Sequence, residues 1–169
     1  MNFLKNIFKL SIFLAIALSL LFLKPSITEA KLDITLQDGM KIMRSQESLR
    51  DLDFKTWQLV AYPQKTDLYI LRIVGYPGSL RIDHPDDLVV RSGIKKWVLK
   101  DITLDNPQLA NDSREAAVEF NLGPLLLDLT QNRPLRLFLP QAFNELPVPP
   151  YLVKEWRSLI LDGLEDAEI

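Results

Sequence analysis

The sequence contains no cysteine and a single histidine, and these two scarcities exclude whole classes of site. Without cysteine there is no disulfide, no disulfide-linked partner, no iron–sulfur or zinc–thiolate centre and no cysteine nucleophile. With one histidine, a metal centre built on several imidazoles is also excluded. The 169 residues carry a formal net charge of -2, so no basic excess indicates binding to nucleic acid.

The N-terminal segment has the pattern of a secretory signal peptide. Lys5 and Lys9 provide a positive start, and Leu10–Leu23 is an uncharged apolar run. We expect cleavage after Ala30, with Thr28 as the small residue at position −3. The sequence therefore predicts export.

An uncleaved membrane anchor is the alternative for the same segment. As a helix, Leu10–Leu23 would rise ~21 Å, which is shorter than the ~30 Å hydrocarbon core of a bilayer. Lys24 and Pro25 are also poor flanks for a segment that stops in the membrane. These features favour cleavage over anchoring.

Beyond Gly39 the dominant pattern is the alternation of apolar and polar residues that is typical of strands. Asp67–Gly75 is the most apolar of these stretches and is predicted to be central in a sheet. Short turns rich in proline and glycine, such as Tyr76–Ser79, separate the stretches. The predicted strands are Met40–Ser45, Phe54–Ala61, Asp67–Gly75, Leu80–Asp83, Leu88–Arg91, Lys95–Thr103, Ala116–Leu122 and Leu135–Leu139.

The C-terminal part of the sequence has helical spacing instead. After Pro149 and Pro150, apolar residues at Leu152, Trp156 and Leu159 predict an amphipathic helix. The fold class is therefore all-β, an antiparallel meander of seven or eight strands that forms a small barrel or a sandwich, with one C-terminal helix. The short turns favour the barrel. We divide the chain into a signal peptide (1–30), one domain (31–160) and an acidic, frayed tail (161–169).

The single histidine lies in an acidic loop. Asp83, His84, Asp86 and Asp87 together contain enough ligand atoms to suggest a divalent metal. However, the spacing lacks the pattern of known carboxylate-rich metal loops, and Pro85 with its acidic neighbours is typical of a polar turn. We favour the turn and expect no metal or other cofactor.

Catalytic patterns are weak in this chain. A serine hydrolase would have to use His84, since it is the only imidazole, and no serine lies in a Gly-x-Ser-x-Gly turn. The acidic pairs Asp51 with Asp53 and Glu115 with Glu119 are typical of solvated faces rather than of a glycosidase cleft.

Charged residues at predicted strand ends are the better candidates for binding. Arg50 and Asp51 form a charged pair at a hairpin end, and Arg133 and Arg136 flank the start of a strand. Guanidinium groups suit carboxylate partners, although internal ion pairs would explain them as well. The candidate interface residues are Arg50, Asp51, Asp83, His84, Arg133, Arg136 and Trp156. The three tryptophans are expected in the core, or alternatively around a ligand pocket in the mouth of a barrel.

Several short motifs resemble an exported family of cyanobacteria and plastid-bearing plants that has no established function. The resemblance spans about Gly39 to Ile160 and implies the thylakoid lumen or the periplasm of a photosynthetic cell, with no catalytic residues to transfer. The motifs that carry it are Ser48-Leu49-Arg50-Asp51 with Trp57-Gln58, Leu80-Arg81-Ile82-Asp83-His84-Pro85, Trp97, Arg133-Pro134-Leu135-Arg136-Leu137, and Leu146-Pro147-Val148-Pro149-Pro150-Tyr151 with Glu155-Trp156.

Three hypotheses for function remain, in decreasing order of support. The first is a non-enzymatic accessory protein that binds a membrane complex from the lumenal or periplasmic side. The second is a barrel that holds a small apolar ligand such as a lipid or a pigment. The third is a hydrolase that uses His84.

Overall fold

The computed structural model describes residues 33–37, 40–65, 68–76, 78, 81–112 and 116–165. The predicted signal peptide and its cleavage position lie outside these residues. The strands are β1 (Asp33–Gln37), β2 (Met40–Arg50), β3 (Thr56–Lys65), β4 (Leu68–Val74), β5 (Leu88–Ser92), β6 (Lys95–Leu99), β7 (Ala117–Asn121), β8 (Leu135–Leu139) and β9 (Phe143–Val148). The helical segments are a 3-10 turn (Thr103–Asp105), α1 (Pro107–Ala110), α2 (Gly123–Asp128) and α3 (Pro150–Glu165).

The strands form two antiparallel sheets that pack face to face. The larger sheet has the order β1-β2-β3-β4-β7, and the smaller one has the order β6-β5-β8-β9. Between β6 and β7 the ladder is interrupted, and an isolated bridge between Asp101 and Phe120 joins the two sheets there. The prediction of an all-β fold with a C-terminal helix is confirmed. Because the ladder is interrupted, the described strands form a sandwich rather than the closed barrel that the short turns favoured.

Alternation of apolar and polar residues explains which side of each sheet is buried. In β8, Leu135, Leu137 and Leu139 are fully buried, whereas Arg136 between them is exposed. Because successive side chains point to opposite faces of a sheet, this pattern puts one face against the other sheet and one in solvent. The core lies between the sheets and includes Phe120.

Two strands escaped the sequence analysis, and one predicted strand is absent. β1 precedes Gly39, where the alternating pattern begins, and β9 contains Pro147, which is typical of loops. Proline lacks a backbone N–H and is confined in sheets to edge strands, strand starts and bulges, and β9 is an edge strand. Residues 81–83 of the predicted strand Leu80–Asp83 are irregular, and Leu80 lies outside the described residues.

The C-terminal helix completes the core. Its buried apolar side chains are Leu152, Val153, Trp156 and Leu159, and the helix packs against β2 and β3. The backbone remains helical to Glu165, and residues 166–169 of the predicted tail lie outside the described part of the chain. Among the described helices, none combines the length and hydropathy that a membrane crossing requires.

Replacement of Trp156 by alanine should destabilise the domain strongly. The side chain is fully buried in the main core cluster, and truncation of a buried tryptophan costs about 3–5 kcal/mol. The measurement is urea unfolding followed by circular dichroism, which does not depend on tryptophan fluorescence.

The matched control is Trp156→Phe. It keeps the aromatic packing and removes an indole N–H that has no hydrogen-bond partner among the described residues. A loss of stability in Trp156→Phe as large as that in Trp156→Ala would contradict this account of the helix packing.

Candidate functional site

The turn between β2 and β3 is organised by the buried carboxylate of Asp51. One of its oxygens accepts hydrogen bonds from the backbone N–H groups of Asp53 and Lys55, each at 2.9 Å. The other accepts the indole N–H of Trp57 at 2.8 Å. The side chain that the sequence singled out as half of a charged pair is thus the internal acceptor that ties the turn to the core.

This turn presents an aromatic side chain in a strained backbone conformation. Phe54 has a φ of 63°, a left-handed conformation that costs a bulky L-residue about 1–2 kcal/mol. The residue is nevertheless 81% exposed, so burial of its side chain does not offset the strain. The bonds around Asp51, together with the 3.2 Å bond from the Phe54 N–H to the Asp51 carbonyl, hold the conformation. Strain of this kind is concentrated at binding and catalytic sites.

A surface groove of about 420 Å³ adjoins the turn. The backbone N–H of Leu52 donates to the carbonyl of Glu145 in β9 at 3.3 Å, which fixes the turn against the smaller sheet. Arg136 and Glu145 form an ion pair at the groove wall. The groove is lined by Leu52, Pro134, Leu135, Arg136, Glu145, Pro147, Val148 and Pro149.

We call Leu52, Phe54, Pro134, Arg136 and Pro147 the turn–groove surface. Two exposed apolar side chains from the turn and two prolines beside a guanidinium make this surface apolar with one charged wall. Two of the residues predicted from the sequence are involved. Asp51 fixes the turn through its buried hydrogen bonds, and Arg136 is part of the turn–groove surface. The sequence analysis missed Leu52 and Phe54, although two large apolar residues within an aspartate-rich turn were a usable indication.

The acidic loop is arranged around a carboxylate that the sequence analysis did not consider. His84 Nδ1 lies 2.8 Å from Asp101 Oδ2, and the His84–Pro85 peptide bond is cis. Asp101 also accepts the backbone N–H of Asp86 at 2.8 Å and the hydroxyl of Thr103 at 2.5 Å. Asp101 is therefore the acceptor that closes this loop.

The loop does not form the metal site that the sequence left open. The side chain of Asp83 is 79% exposed, while that of His84 points to Asp101, so the two diverge. Among the described residues no three His, Cys, Asp or Glu side chains are placed to hold a metal ion. Asp101 is also the one hydrogen-bond partner of the His84 side chain in the described part of the chain. The geometry is that of a polar turn.

Opposite pKa shifts occur within this loop. Burial raises the pKa of Asp101, but hydrogen bonds from Thr103, His84 and backbone N–H groups more than offset it, so the net shift is downward. The pKa of Asp86 is raised by burial and by the neighbouring charges of Asp101 and Asp87.

The remaining sequence candidates are separate from one another. Arg50 is exposed at the end of β2, and Arg133 is exposed with its Nε donating to Gln131 at 2.8 Å. Trp156 was predicted as an interface residue, and this was wrong, because its side chain is fully buried between α3 and the sheets. Asp51 is buried while Asp53 is exposed, so this acidic pair does not line a cleft.

The other predicted acidic pair contains a structural residue. Glu119 is buried on β7, where it accepts hydrogen bonds from Arg72 at 2.7 Å and from the Tyr62 hydroxyl at 2.8 Å. Burial and the contact with Glu119 raise the pKa of Tyr62 to about 12. Glu115 lies outside the described residues. The buried network joins three neighbouring strands and stabilises the larger sheet.

Replacement of Asp51 by alanine should cost about 2 kcal/mol, because it leaves the buried indole N–H of Trp57 without an acceptor. Asp51→Asn keeps one acceptor oxygen and should lose less. Urea unfolding measures both. Equal stability of the wild type and Asp51→Ala would show that the carboxylate does not hold the turn.

The two shifted carboxyl groups predict opposite pH effects. Because the pKa of Asp101 is lowered on folding, the ionised carboxylate stabilises the folded state at pH values above its ordinary pKa of 3.8. This contribution is lost as the pH falls through the lower pKa of the folded state. Asp101→Asn should therefore be less stable than the wild type at pH 7, with a gap that narrows on acidification. Urea midpoints between pH 7 and pH 3 measure the gap.

Asp86 supplies the matched control. Its raised pKa means that the ionised form costs stability at neutral pH, so Asp86→Asn should be more stable than the wild type at pH 7. That gain should disappear as the pH falls below the folded pKa. The same pH trend in both variants would contradict the arrangement described for the loop.

Comparison with known proteins gives a family without an assigned activity. No curated protein and no solved structure matches the chain. Residues 30–159 match the family described as protein of unknown function (DUF3122). The prediction of a family without an established function is thereby confirmed. The match covers more than half of the sequence, and the chain belongs to the DUF3122 family.

Proposed function

We propose that this protein is a non-enzymatic binding module that docks on a partner protein through the turn–groove surface. The observation that carries the proposal is Phe54, an aromatic residue that is 81% exposed on a backbone with a φ of 63°. No burial of the Phe54 side chain within the fold offsets the backbone strain. We therefore infer that the exposed ring contacts a binding partner. Exposed aromatic side chains beside pockets are frequent anchors of protein interfaces.

The groove supports a protein partner rather than a ligand held inside the fold. Large buried side chains fill the interior, Phe120 between the two sheets and Trp156 beneath α3, where a ligand-binding barrel would hold a lipid or a pigment. The groove lies on the surface instead, next to exposed Leu52. Its mostly apolar lining resembles the central part of an interface, where arginine is also enriched.

The location of the partner follows from the N-terminal sequence and from the family resemblance. The charged start, apolar run and small residues of residues 1–30 support export. The resemblance to proteins of cyanobacteria and plastid-bearing plants supports a photosynthetic cell. We therefore place the binding module in the thylakoid lumen or the periplasm, acting on a membrane complex from that side.

Phe54→Gly should separate stability from binding. Glycine adopts a positive φ without strain, so this variant should be about 1 kcal/mol more stable than the wild type. It should nevertheless lose the partner, because the aromatic anchor is gone. The experiment is purification of the tagged chain from solubilised membranes of the cells that make it, with quantitative mass spectrometry, alongside urea unfolding.

Two further variants complete this test. Phe54→Ala keeps the strained backbone without the ring and should also lose the partner, at a stability close to that of the wild type. Leu127→Ala removes an apolar side chain that is equally exposed, 81%, on α2, and should leave recovery of the partner unchanged. Recovery of the same complex by Phe54→Gly and the wild type would sink the proposal.

A further inference from the structure

Three cations lie side by side on the solvent face of the smaller sheet. Arg91 in β5 is paired directly with Lys96 in β6 on one side and with Arg136 in β8 on the other. All three side chains are exposed. Neighbouring strands are ~4.8 Å apart, so the three backbone positions span ~10 Å. We call these residues the basic row.

The basic row is unfavourable for folding on its own. Like charges in directly paired positions of a sheet repel and destabilise it. Arg136 has a carboxylate partner in Glu145, but neither Arg91 nor Lys96 forms an ion pair with any of the residues that the structure describes. The protein has a net charge of -2, yet it concentrates positive charge on this face. Two cations of the basic row, Arg91 and Lys96, have no carboxylate as an ion-pair partner among the described residues.

An apolar row runs alongside the basic row. Val89 in β5 is paired with Val98 in β6 and with Phe138 in β8. Val98 is 49% exposed, and the guanidinium of Arg91 lies over the Phe138 ring at 4.8 Å from its centroid. This contact holds the Arg91 side chain along the sheet. The face therefore offers charge and apolar surface in adjacent, parallel rows.

The basic row is continuous with the turn–groove surface through Arg136. That guanidinium stands at the groove wall and is also the last member of the row. A partner that places an apolar side chain in the groove would therefore lie next to Arg91. The row and the groove therefore share one residue, so a single partner can contact both.

We propose that the basic row binds an acidic, extended segment of the partner protein, with carboxylates on the cations and apolar side chains on Val98 and Phe138. This rests on the proposed function, since the row extends the same surface. Alternate residues of an extended segment are ~7 Å apart, a distance that long lysine and arginine side chains can match. Guanidinium groups bind carboxylates through paired hydrogen bonds.

The charge distribution favours a protein segment over an anionic membrane surface. The net charge of -2 repels a uniformly negative bilayer at distances beyond the immediate contact. A flexible acidic segment is small enough to interact with the positive charges of the basic row alone. The groove with exposed Leu52 in its lining also fits a shaped apolar complement, which a side chain provides.

The test uses a fluorescent decapeptide of alternating glutamate and leucine as the probe, and the tagged chain as purified from the cells that make it. The double variant Arg91→Gln/Lys96→Gln should bind the peptide roughly tenfold more weakly, the loss expected for two exposed charge pairs. Fluorescence anisotropy at two salt concentrations measures binding. Affinity of the wild type should fall with added salt, and that of the double variant should change less.

The matched control is Arg81→Gln/Lys154→Gln, which removes two exposed cations outside the basic row. It should bind the peptide as the wild type does. Equal affinity of the wild type and Arg91→Gln/Lys96→Gln would overturn the inference. So would phosphatidylglycerol vesicles that bind through Arg91 and Lys96 while the peptide does not.

Recovery of the cellular partner distinguishes this inference from the proposed function. Loss of the partner in both Phe54→Ala and Arg91→Gln/Lys96→Gln supports both. Loss in Phe54→Ala alone keeps the binding module and overturns the basic row as part of its contact. Recovery unchanged in Phe54→Ala overturns the proposed function, whatever the peptide does.

Discussion

The turn–groove surface depends on one buried carboxylate, that of Asp51. It satisfies two backbone N–H groups of the β2–β3 turn and the indole of Trp57 at the same time. Because an unpaired buried polar group is costly, the turn, the indole and the carboxylate are held in one arrangement. That arrangement carries Phe54 in its strained conformation and places Leu52 against β9. The hydrogen bonds of the buried Asp51 carboxylate thus determine which turn side chains are exposed.

A second set of hydrogen bonds holds the corner at which the two sheets meet. The hydroxyl of Thr103 donates to Asp101 at 2.5 Å and accepts the backbone N–H of Glu119 at 2.9 Å. Asp101 in turn bonds His84, and Glu119 bonds Arg72. One threonine therefore connects the carboxylate of the acidic loop with the backbone of β7 in the larger sheet. Loop residues that invited a catalytic interpretation have a structural role here.

The sequence predicted the fold better than the site, for physical reasons that particular residues illustrate. Alternating patterns such as that of β8 are local, so the all-β class and α3 could be recognised. β9 was missed because proline fits a strand only at special positions such as an edge or a bulge, and those positions are defined by topology. The left-handed conformation of Phe54 had no glycine or asparagine to indicate it. Pairing of His84 with Asp101 depends on the fold, since 17 residues separate them.

Pro147 limits strand pairing between the β9 edge and other molecules. Open sheet edges attract strands from other molecules, and apolar edges are the usual starting points of aggregates. β9 is such an edge and borders an apolar groove, but it lacks one N–H at Pro147, and one of its carbonyls is occupied by Leu52. A foreign strand therefore finds an incomplete ladder. This edge therefore exposes its side chains without offering a continuous row of backbone hydrogen-bonding groups.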